Sequence, residues 1–311
     1  MRRTLFIYLL IGVTVFALVF ALSTRLSAQN NQHIMEAEKE LQALFDTINI
    51  SIDDNERVVW GNNFSEKLLR ALTLDGSFDY PFSLLPNLSK VTSSDERVRI
   101  YTWNIPLHSG MNKFYGIVQL HPATSDSLIV IDLTDQFELI SHPTLEILPP
   151  EKWYGAIYYQ AIRQETLHGQ VFYTLLGWRG ENMLMTSRLI DILTISPSGG
   201  ILFGKMVFCD YDENRPVRII FHYNANVTMS LRYEEQGMVT SKKWNSRRKE
   251  FTYTTENAWL IVCDRLVPSN PEMEGQFEYY LPAGDVMDGF LFKEGCWKFI
   301  KEIDARNPDE K

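Results

Sequence analysis

The densest group of possible metal ligands is the acidic segment 210–214, with the sequence Asp-Tyr-Asp-Glu-Asn. Its oxygen-bearing side chains stand at alternate positions, as in calcium loops, where side chains two residues apart converge on one cation. An EF-hand calcium loop also needs glycine at its sixth position and glutamate at its twelfth, and this chain has Arg215 and Phe221 there. We therefore predict a charged turn between two strands, and a bound ion is the alternative.

Two carboxylates that face each other across a cleft, about 5–10 Å apart, would favour a hydrolase. Residues distant in sequence can supply them once the chain folds, and the carboxylates that could take part are Asp191, Asp210, Asp212 and Glu234. Asp191 interrupts the apolar run 190–193, and we predict that it occupies an outward-facing strand position. If it faced the core it would need a partner, for which Arg188 or a tyrosine hydroxyl would serve.

Histidine spacing does not indicate a zinc site or a catalytic triad. No two histidines stand at i, i+2 or i+4, the spacings that place two rings beside one ion; the six are His33, His108, His121, His142, His168 and His222. His222 stands between Phe221 and Tyr223 and is predicted to face solvent or a second sheet. The sequence therefore assigns no catalytic, cofactor-binding or metal-ligating residue, and it implies no cofactor.

Three cysteines are too few, and odd in number, for a fold held together by disulfides. Cys263 lies at the end of an apolar run that starts at residue 259, and Cys209 ends another. We predict that these cysteines and Cys296 are buried small apolar side chains, with one structural disulfide as the alternative. No histidine or basic residue adjoins any of them, so a nucleophilic cysteine is not indicated.

Residues 1–28 have the pattern of an export signal. Two arginines precede an uncharged apolar run over 4–24, and small residues follow it. We predict cleavage after Ala28, although the apolar stretch Leu5–Leu22 is also just long enough for an uncleaved anchor. In either case this segment enters the membrane during export. The remainder is predicted to be periplasmic or extracellular, or anchored at its N-terminus in the inner membrane.

The formal net charge of −9 argues against a nucleic-acid partner, which needs a basic surface. One dense basic patch surrounds Trp244 and comprises Lys242, Lys243, Arg247, Arg248 and Lys249. We predict a solvated hairpin loop there, with contact to an anionic envelope surface or a glycan phosphate as the alternative.

Tryptophans are the most informative aromatic residues of the chain. Most alternate with polar residues in strand-like runs and are predicted to pack in the core. Any that are exposed on a β face could stack on sugar rings, because the axial C–H edges of a pyranose fit a flat ring. The seven are Trp60, Trp103, Trp153, Trp178, Trp244, Trp259 and Trp297.

Residues 29–78 are predicted to form a helical N-terminal segment. The apolar positions from Ile34 to Ile48 fall on one helical stripe. A second helix is indicated by Asn63 as its N-cap, Glu66 three residues later and Gly76 as its stop. The following segment 79–96 is rich in proline and serine and is predicted to be a linker.

From residue 97 to 307 the apolar period changes from 3.6 to 2, which predicts one antiparallel β domain. A meander, a sandwich or a barrel would fit the number of strands. The clearest hairpin is predicted over Val217–Tyr233 with its turn at 224–226, and another has its turn at Glu294-Gly295. The whole chain is thus predicted to be mostly β with a short α-helical N-terminal segment.

Several strings in the β region carry a resemblance to a known group of proteins. They are WYGAIYYQ from Trp153, YTLLGW from Tyr173, VRIIFHYNANVTMSLRYEE from Val217, CDRLVP from Cys263 and DGFLFKEGCWKF from Asp288. Over about residues 153–307 the chain resembles a group of exported proteins of Bacteroidota that has no assigned function. The resemblance implies export and a strand-rich fold, and it brings no catalytic residues with it.

These observations favour a non-enzymatic envelope or secreted protein that binds or assembles with a partner, either an unknown envelope protein or a glycan. The alternative is a hydrolase or ion-dependent enzyme whose carboxylates meet only in the folded chain. A purely structural subunit is the third hypothesis. A flat row of exposed aromatic side chains would favour binding, and a facing pair of carboxylates would favour an enzyme.

Overall fold

The structure is a computed structural model that describes residues 30–121 and 128–303. It divides into two compact units, with one boundary between Asn87 and Leu88, inside the segment 79–96 that was expected to be a linker. The predicted export signal, residues 1–28, lies outside the described residues. In the described ranges, neither helix is long and apolar enough to cross a membrane.

The first unit contains two helices, α1 at residues 30–50 and α2 at Asp54–Leu72. The stripe predicted for α1 is confirmed, since Ile34 and Leu41 are fully buried and Ile48 nearly so. α2 contributes Phe64 and Leu68, which are also fully buried. Burial of these two apolar stripes stabilises helices whose sequences alone would be marginal in water.

The start of α2 differs from the prediction. Asp53 is the N-cap, and its carboxylate accepts hydrogen bonds from the backbone N–H groups of Asn55 and Glu56. Asn63 lies in the middle of the helix, so the prediction that it caps the helix was wrong. A carboxylate cap satisfies two backbone N–H donors of the first turn and complements the helix dipole, and it therefore sets the helix start at Asp53 instead of Asn63.

Glu38 is a buried carboxylate within this unit. It accepts hydrogen bonds from the Tyr80 hydroxyl and from the Leu84 backbone N–H, both at 2.7 Å. Burial, the hydrogen bond to Glu38 and the negative charge of Glu38 together raise the pKa of Tyr80 to about 12. The folded chain therefore holds this proton more tightly than the unfolded chain, in which the pKa is about 10.

We expect Tyr80→Phe to lower the free energy of unfolding of the first unit by about 1–2 kcal/mol at neutral pH, because the Glu38 carboxylate loses a donor. The contribution of the Tyr80 proton is full below about pH 10 and is lost as the pH rises through about 12, so only the parent should show this alkaline decline. Urea unfolding followed by the helical circular dichroism signal measures both effects. Tyr279→Phe is the control, since Tyr279 is exposed. Equal alkaline declines in the parent and in Tyr80→Phe would contradict the prediction.

The second unit holds three sheets among the described residues. The first sheet has the order β1-β2-β3-β4, with β1 Ser89–Thr92, β2 Val98–Pro106, β3 Asn112–Leu120 and β4 Ile129–Thr134. The second sheet has the order β10-β7-β6-β5, and β8 pairs with β7. Its strands are β5 Ile157–Glu165, β6 Val171–Gly180, β7 Met185–Ile195, β8 Ile201–Phe203 and β10 Ile219–Asn224. The third has the order β11-β12-β13-β14-β9, with β9 Phe208–Cys209, β11 Leu231–Asn245, β12 Glu250–Pro268, β13 Tyr280–Lys293 and β14 Cys296–Ile303.

The second sheet is the central layer of this unit. Leu189 and Leu193 of β7 pack in a core cluster with side chains of the first sheet, whereas Ile190 and Ile192 pack in another with side chains of the third sheet. A strand that is buried on both faces must be apolar at nearly every position, which explains the continuous apolar runs of β6 and β7. The predicted mostly β fold with a helical N-terminal segment is confirmed, in the form of three open, layered sheets.

The hairpin predicted over Val217–Tyr233 was wrong. β10 pairs with β7, with Ile219 opposite Ile190, and β11 starts only at Leu231 and pairs with β12. The turn at 224–226 connects the central sheet to the third sheet instead of joining two neighbouring strands. Alternation shows that a strand has one buried face, but it does not show which strand lies beside it. The other predicted hairpin is confirmed, because β13 and β14 pair on either side of Glu294-Gly295.

Candidate functional site

Asp191 is fully buried, and the prediction of an outward-facing position was wrong. It lies in the middle of β7 in the central sheet, where residues 189–193 are all buried, so this part of the strand offers no outward position. One carboxylate oxygen lies 2.8 Å from Nε of Arg218, and the other accepts a hydrogen bond from the Tyr158 hydroxyl at 2.8 Å. The tyrosine partner was among those expected, whereas the basic partner is Arg218 and not Arg188.

The surroundings of this ion pair suit a structural role. Arg218 is as fully buried as Asp191 and also donates to the backbone carbonyl of Pro143. Burial and then the charge of Asp191 raise the pKa of Tyr158 well above its usual range. Burial opposes the charge on Arg218, but Asp191 raises the pKa of that guanidinium and keeps it charged. Because no atom of the pair reaches solvent, a substrate has no access to it.

A second buried cation, Arg179, was not anticipated from the sequence. Its guanidinium donates to the carbonyls of Tyr154 and Gly155, lies 3.4 Å from Asp135 and sits 4.1 Å from the ring centre of Phe137. Gly155 has φ +77°, and a Cβ there would lie 2.3 Å from Nη1 of Arg179. A charged residue inside the apolar run of β6 was the available signal. Like Arg218, it connects elements inside the unit.

Two of the other candidate carboxylates accept hydrogen bonds elsewhere, and Asp210 lies at the start of the turn that follows β9. Glu234 on β11 accepts hydrogen bonds from Arg232 and Gln236. Asp212 accepts the backbone N–H of Asn214 at 2.7 Å, so the segment 210–214 forms a turn between β9 and β10, as predicted. The fold therefore does not bring these acids to Asp191. Across the described ranges, no three histidine, cysteine or acidic side chains are grouped as metal ligands are.

The cysteines do not all behave as predicted. Cys209 and Cys296 form a disulfide, and only Cys263 is a buried free thiol, whose pKa is raised by burial and the nearby Asp288. The bridge forms because β9 runs parallel to β14, with Phe208 opposite Trp297. That pairing joins residues far apart in sequence, so cysteine spacing could not reveal it.

His222 is half-buried and lies against polar and aromatic groups. Its Nδ1 atom is 2.8 Å from a carboxylate oxygen of Glu181, and its ring centre is 5.4 Å from that of Phe277. In the described contacts, neither His222 nor Glu181 touches one of the four candidate carboxylates. The geometry makes His222 a contact between β10 and the 3₁₀ turn Phe277–Tyr279.

Two tryptophans lie outside the core. Trp103, Trp153 and Trp297 are buried as predicted, but Trp244 is 54% exposed and Trp259 is 53% exposed. Both exposed tryptophans lie on the hairpin formed by β11 and β12. This hairpin is the strongest candidate for a binding surface.

The hairpin of β11 and β12 extends past the region in which β13 pairs with β12. β12 pairs with β11 from Glu250 to Cys263, whereas its pairing with β13 starts only at Leu260. Residues 235–259 therefore form a two-stranded ribbon, which we call the arm. A two-stranded ribbon has little stability of its own in water, so it depends on its base in the third sheet.

The exposed ring of Trp259 is held in place at the base of the arm by other aromatic rings. Its centroid is 5.1 Å from that of Tyr233, which in turn meets the buried Trp297 edge-on at 6.2 Å. Glu235 is the cross-strand partner of Trp259, and Gly237 pairs with Asn257 one step further along the same face. We call this group of residues 233, 235, 237, 257 and 259 the aromatic shelf.

The far end of the arm carries the basic patch identified in the sequence. Residues 246–249 form the turn, all four are exposed, and Trp244 precedes them opposite Phe251. The predicted hairpin loop is therefore confirmed. Phe251 and Trp259 are eight residues apart on β12, so the ladder places Trp244 on the same face as the aromatic shelf. We call residues 242–249 the basic tip.

Comparison with known proteins gives no assignment: no family model, no curated protein and no solved structure matches this chain.

Proposed function

We propose that this protein is exported and acts as a non-enzymatic binding protein that holds envelope or extracellular glycan chains on the aromatic shelf. The observation that carries this proposal is the half-exposed ring of Trp259, fixed against Tyr233 at the base of the arm. Large aromatic side chains are normally mostly buried, so a rigid, exposed indole on a β face suits a ligand with a flat apolar side.

The shelf has the parts that a sugar-binding surface needs. The apolar C–H face of a pyranose can lie on the indole of Trp259, and the stacking on Tyr233 fixes that ring before the ligand arrives. Gly237 pairs with Asn257 on the same face and has no side chain that could cover the ring. The exposed polar side chains of Glu235 and Asn257 are available for hydrogen bonds to sugar hydroxyls.

Stacking on one ring limits the strength of binding at this site. Aromatic stacking contributes about 0.5–1.5 kcal/mol beyond area burial, and each 1.4 kcal/mol is a factor of ten in affinity. A single shelf should therefore bind one sugar weakly and bind a polymer better, because neighbouring repeats rebind before the chain diffuses away. We therefore expect the protein to bind a single sugar weakly and a polymer of the same sugar more strongly.

Affinity electrophoresis in native gels that contain soluble β-glucan, xylan or solubilised peptidoglycan tests the proposal. We expect at least one of these polymers to retard the parent protein, and Trp259→Ala to lose that retardation. Tyr279→Ala is the matched control, because Tyr279 is an exposed aromatic residue outside the arm. If no gel retards the parent, or if Trp259→Ala is retarded as strongly as the parent, the glycan proposal fails.

Export is part of the same proposal and rests on the residue pattern of 1–28. Fractionation of producing cells should place the protein outside the cytoplasm. Mass spectrometry should find Gln29 as the first residue if the signal is cleaved after Ala28. Recovery of the intact chain from the cytosol would overturn this part.

A further inference from the structure

We infer that the basic tip of the arm docks on the surface of an anionic phospholipid bilayer. The binding surface is distinct from the aromatic shelf, and the inference does not depend on the glycan proposal. It rests on the charge of the tip, on its exposed tryptophan and on its place at the end of a ribbon.

Charge is the first observation. The tip holds Lys242, Lys243, Arg247, Arg248 and Lys249 and no acidic residue, whereas the whole chain has a formal net charge of −9. An anionic surface therefore attracts the tip and repels most of the remaining chain. This asymmetry orients the protein with the arm towards the surface, within a Debye length of about 8–10 Å.

The exposed Trp244 is the second observation, and it favours a bilayer over a soluble polyanion. Its ring is 54% exposed two residues before the turn, in the middle of the five cations. Tryptophan prefers the interface between headgroups and acyl chains, and neighbouring lysine and arginine side chains reach anionic headgroups. A folded acidic protein or a nucleic-acid duplex would use the cations but would not require the indole.

The shape of the arm is the third observation. The tip is the turn of a two-stranded ribbon that reaches from Leu260, where the third strand joins, to the turn at 246–249. About ten residues per strand at about 3.3 Å each allow the turn to contact a surface well ahead of the three-stranded sheet. A bilayer can therefore meet the tip without contacting the acidic surface of the rest of the unit.

Each basic side chain near an anionic membrane surface strengthens binding by about fivefold, which corresponds to about 1 kcal/mol. Reversing the charge of two arginines removes two attractions and adds two repulsions. The double variant Arg247→Glu/Arg248→Glu should therefore bind anionic vesicles at least tenfold more weakly than the parent. Trp244→Ala should bind several-fold more weakly while leaving the charge unchanged.

Cosedimentation with vesicles tests this inference, using the protein recovered from the soluble fraction of an exporting host. One set of vesicles contains phosphatidylcholine alone, and the other contains equal parts of phosphatidylcholine and phosphatidylglycerol. We expect the parent to bind only the second set, and to be released as salt shortens the Debye length to about 3 Å at about 1 M. The matched control is Lys293→Glu/Lys301→Glu, which makes the same charge change at exposed positions outside the arm and should bind as the parent does.

Several results would overturn the inference. Equal binding of the parent to both kinds of vesicle, or no binding to either, would do so. Parent-like binding by Arg247→Glu/Arg248→Glu, or an equal loss in the control variant, would do the same. Retention of the parent on immobilised heparin without any vesicle binding would assign the tip to a soluble polyanion instead. Trp259→Ala should bind vesicles normally, so failure of the glycan proposal and failure of this inference are distinguishable.

Discussion

Replacing Arg218 with methionine should lower the free energy of unfolding of the second unit by about 3–5 kcal/mol. The substitution leaves the Asp191 carboxylate fully buried, with the Tyr158 hydroxyl as its remaining side-chain donor. An unpaired charge in a low-dielectric interior is costly, and the Asp191 side chain must either stay charged without its counter-ion or take up a proton. Urea unfolding followed by intrinsic tryptophan fluorescence measures the loss.

Two further variants separate the ion pair from simple loss of side-chain volume. Asp191→Leu/Arg218→Met removes both charges, and we expect it to recover most of the stability lost in Arg218→Met, because no unpaired charge stays buried. Arg163→Met breaks a partly exposed pair with Asp95 and should cost less than about 1 kcal/mol. If Arg218→Met costs no more than Arg163→Met, the buried pair does not have the role that its geometry indicates.

Removal of the disulfide should have the second largest effect. Cys209 and Cys296 are 87 residues apart in sequence, so their bond closes a long loop in the unfolded chain. Cys209→Ser/Cys296→Ser should lower the free energy of unfolding by about 2–5 kcal/mol, since the unfolded state gains the freedom that the loop had removed. Guanidinium unfolding with and without a thiol reductant measures this effect.

The response to reductant provides the internal control for the disulfide. The reductant should destabilise the parent by about the same amount as the double substitution does, and it should have no effect on the double variant. Cys263→Ala keeps the bridge and should stay sensitive to reductant, because Cys263 is a buried thiol with no disulfide partner. A parent that is insensitive to reductant under conditions that unfold the chain would contradict the assignment.

The two proposed surfaces lie on the same arm, but they depend on different structural features. The aromatic shelf is supported by the core through Tyr233 and Trp297, so its geometry is fixed by packing. The basic tip needs only exposure and charge, and its position follows from the pairing of β11 with β12. Together they describe a protein that would hold a polymer on one part of the arm while another part contacts a membrane surface.

Local sequence patterns determined which segments are helices or strands and which face of each is buried. The stripe of α1, the change of period before β2 and the turn at Glu294-Gly295 are all encoded by contiguous residues, and the structure contains each of them. The basic tip was also predictable as a hairpin turn, because its charge and its flanking strands are local features. Residues 1–28 lie outside the described ranges, so their assignment as an export signal stays a prediction.

Only the tertiary structure decided which elements lie side by side. Val217–Tyr233 alternates as a hairpin would, yet β10 pairs with β7. Asp191 is buried because β7 is in the middle layer, and Cys209 meets Cys296 because β9 lies beside β14. Trp259 and Trp297 both stand in strand-like runs, but only Trp297 is covered by another sheet. The apolar period of a segment is set by residues that are close to one another in sequence. Layer order and strand pairing depend on residues far away in the chain, and they decide which side chains become partners.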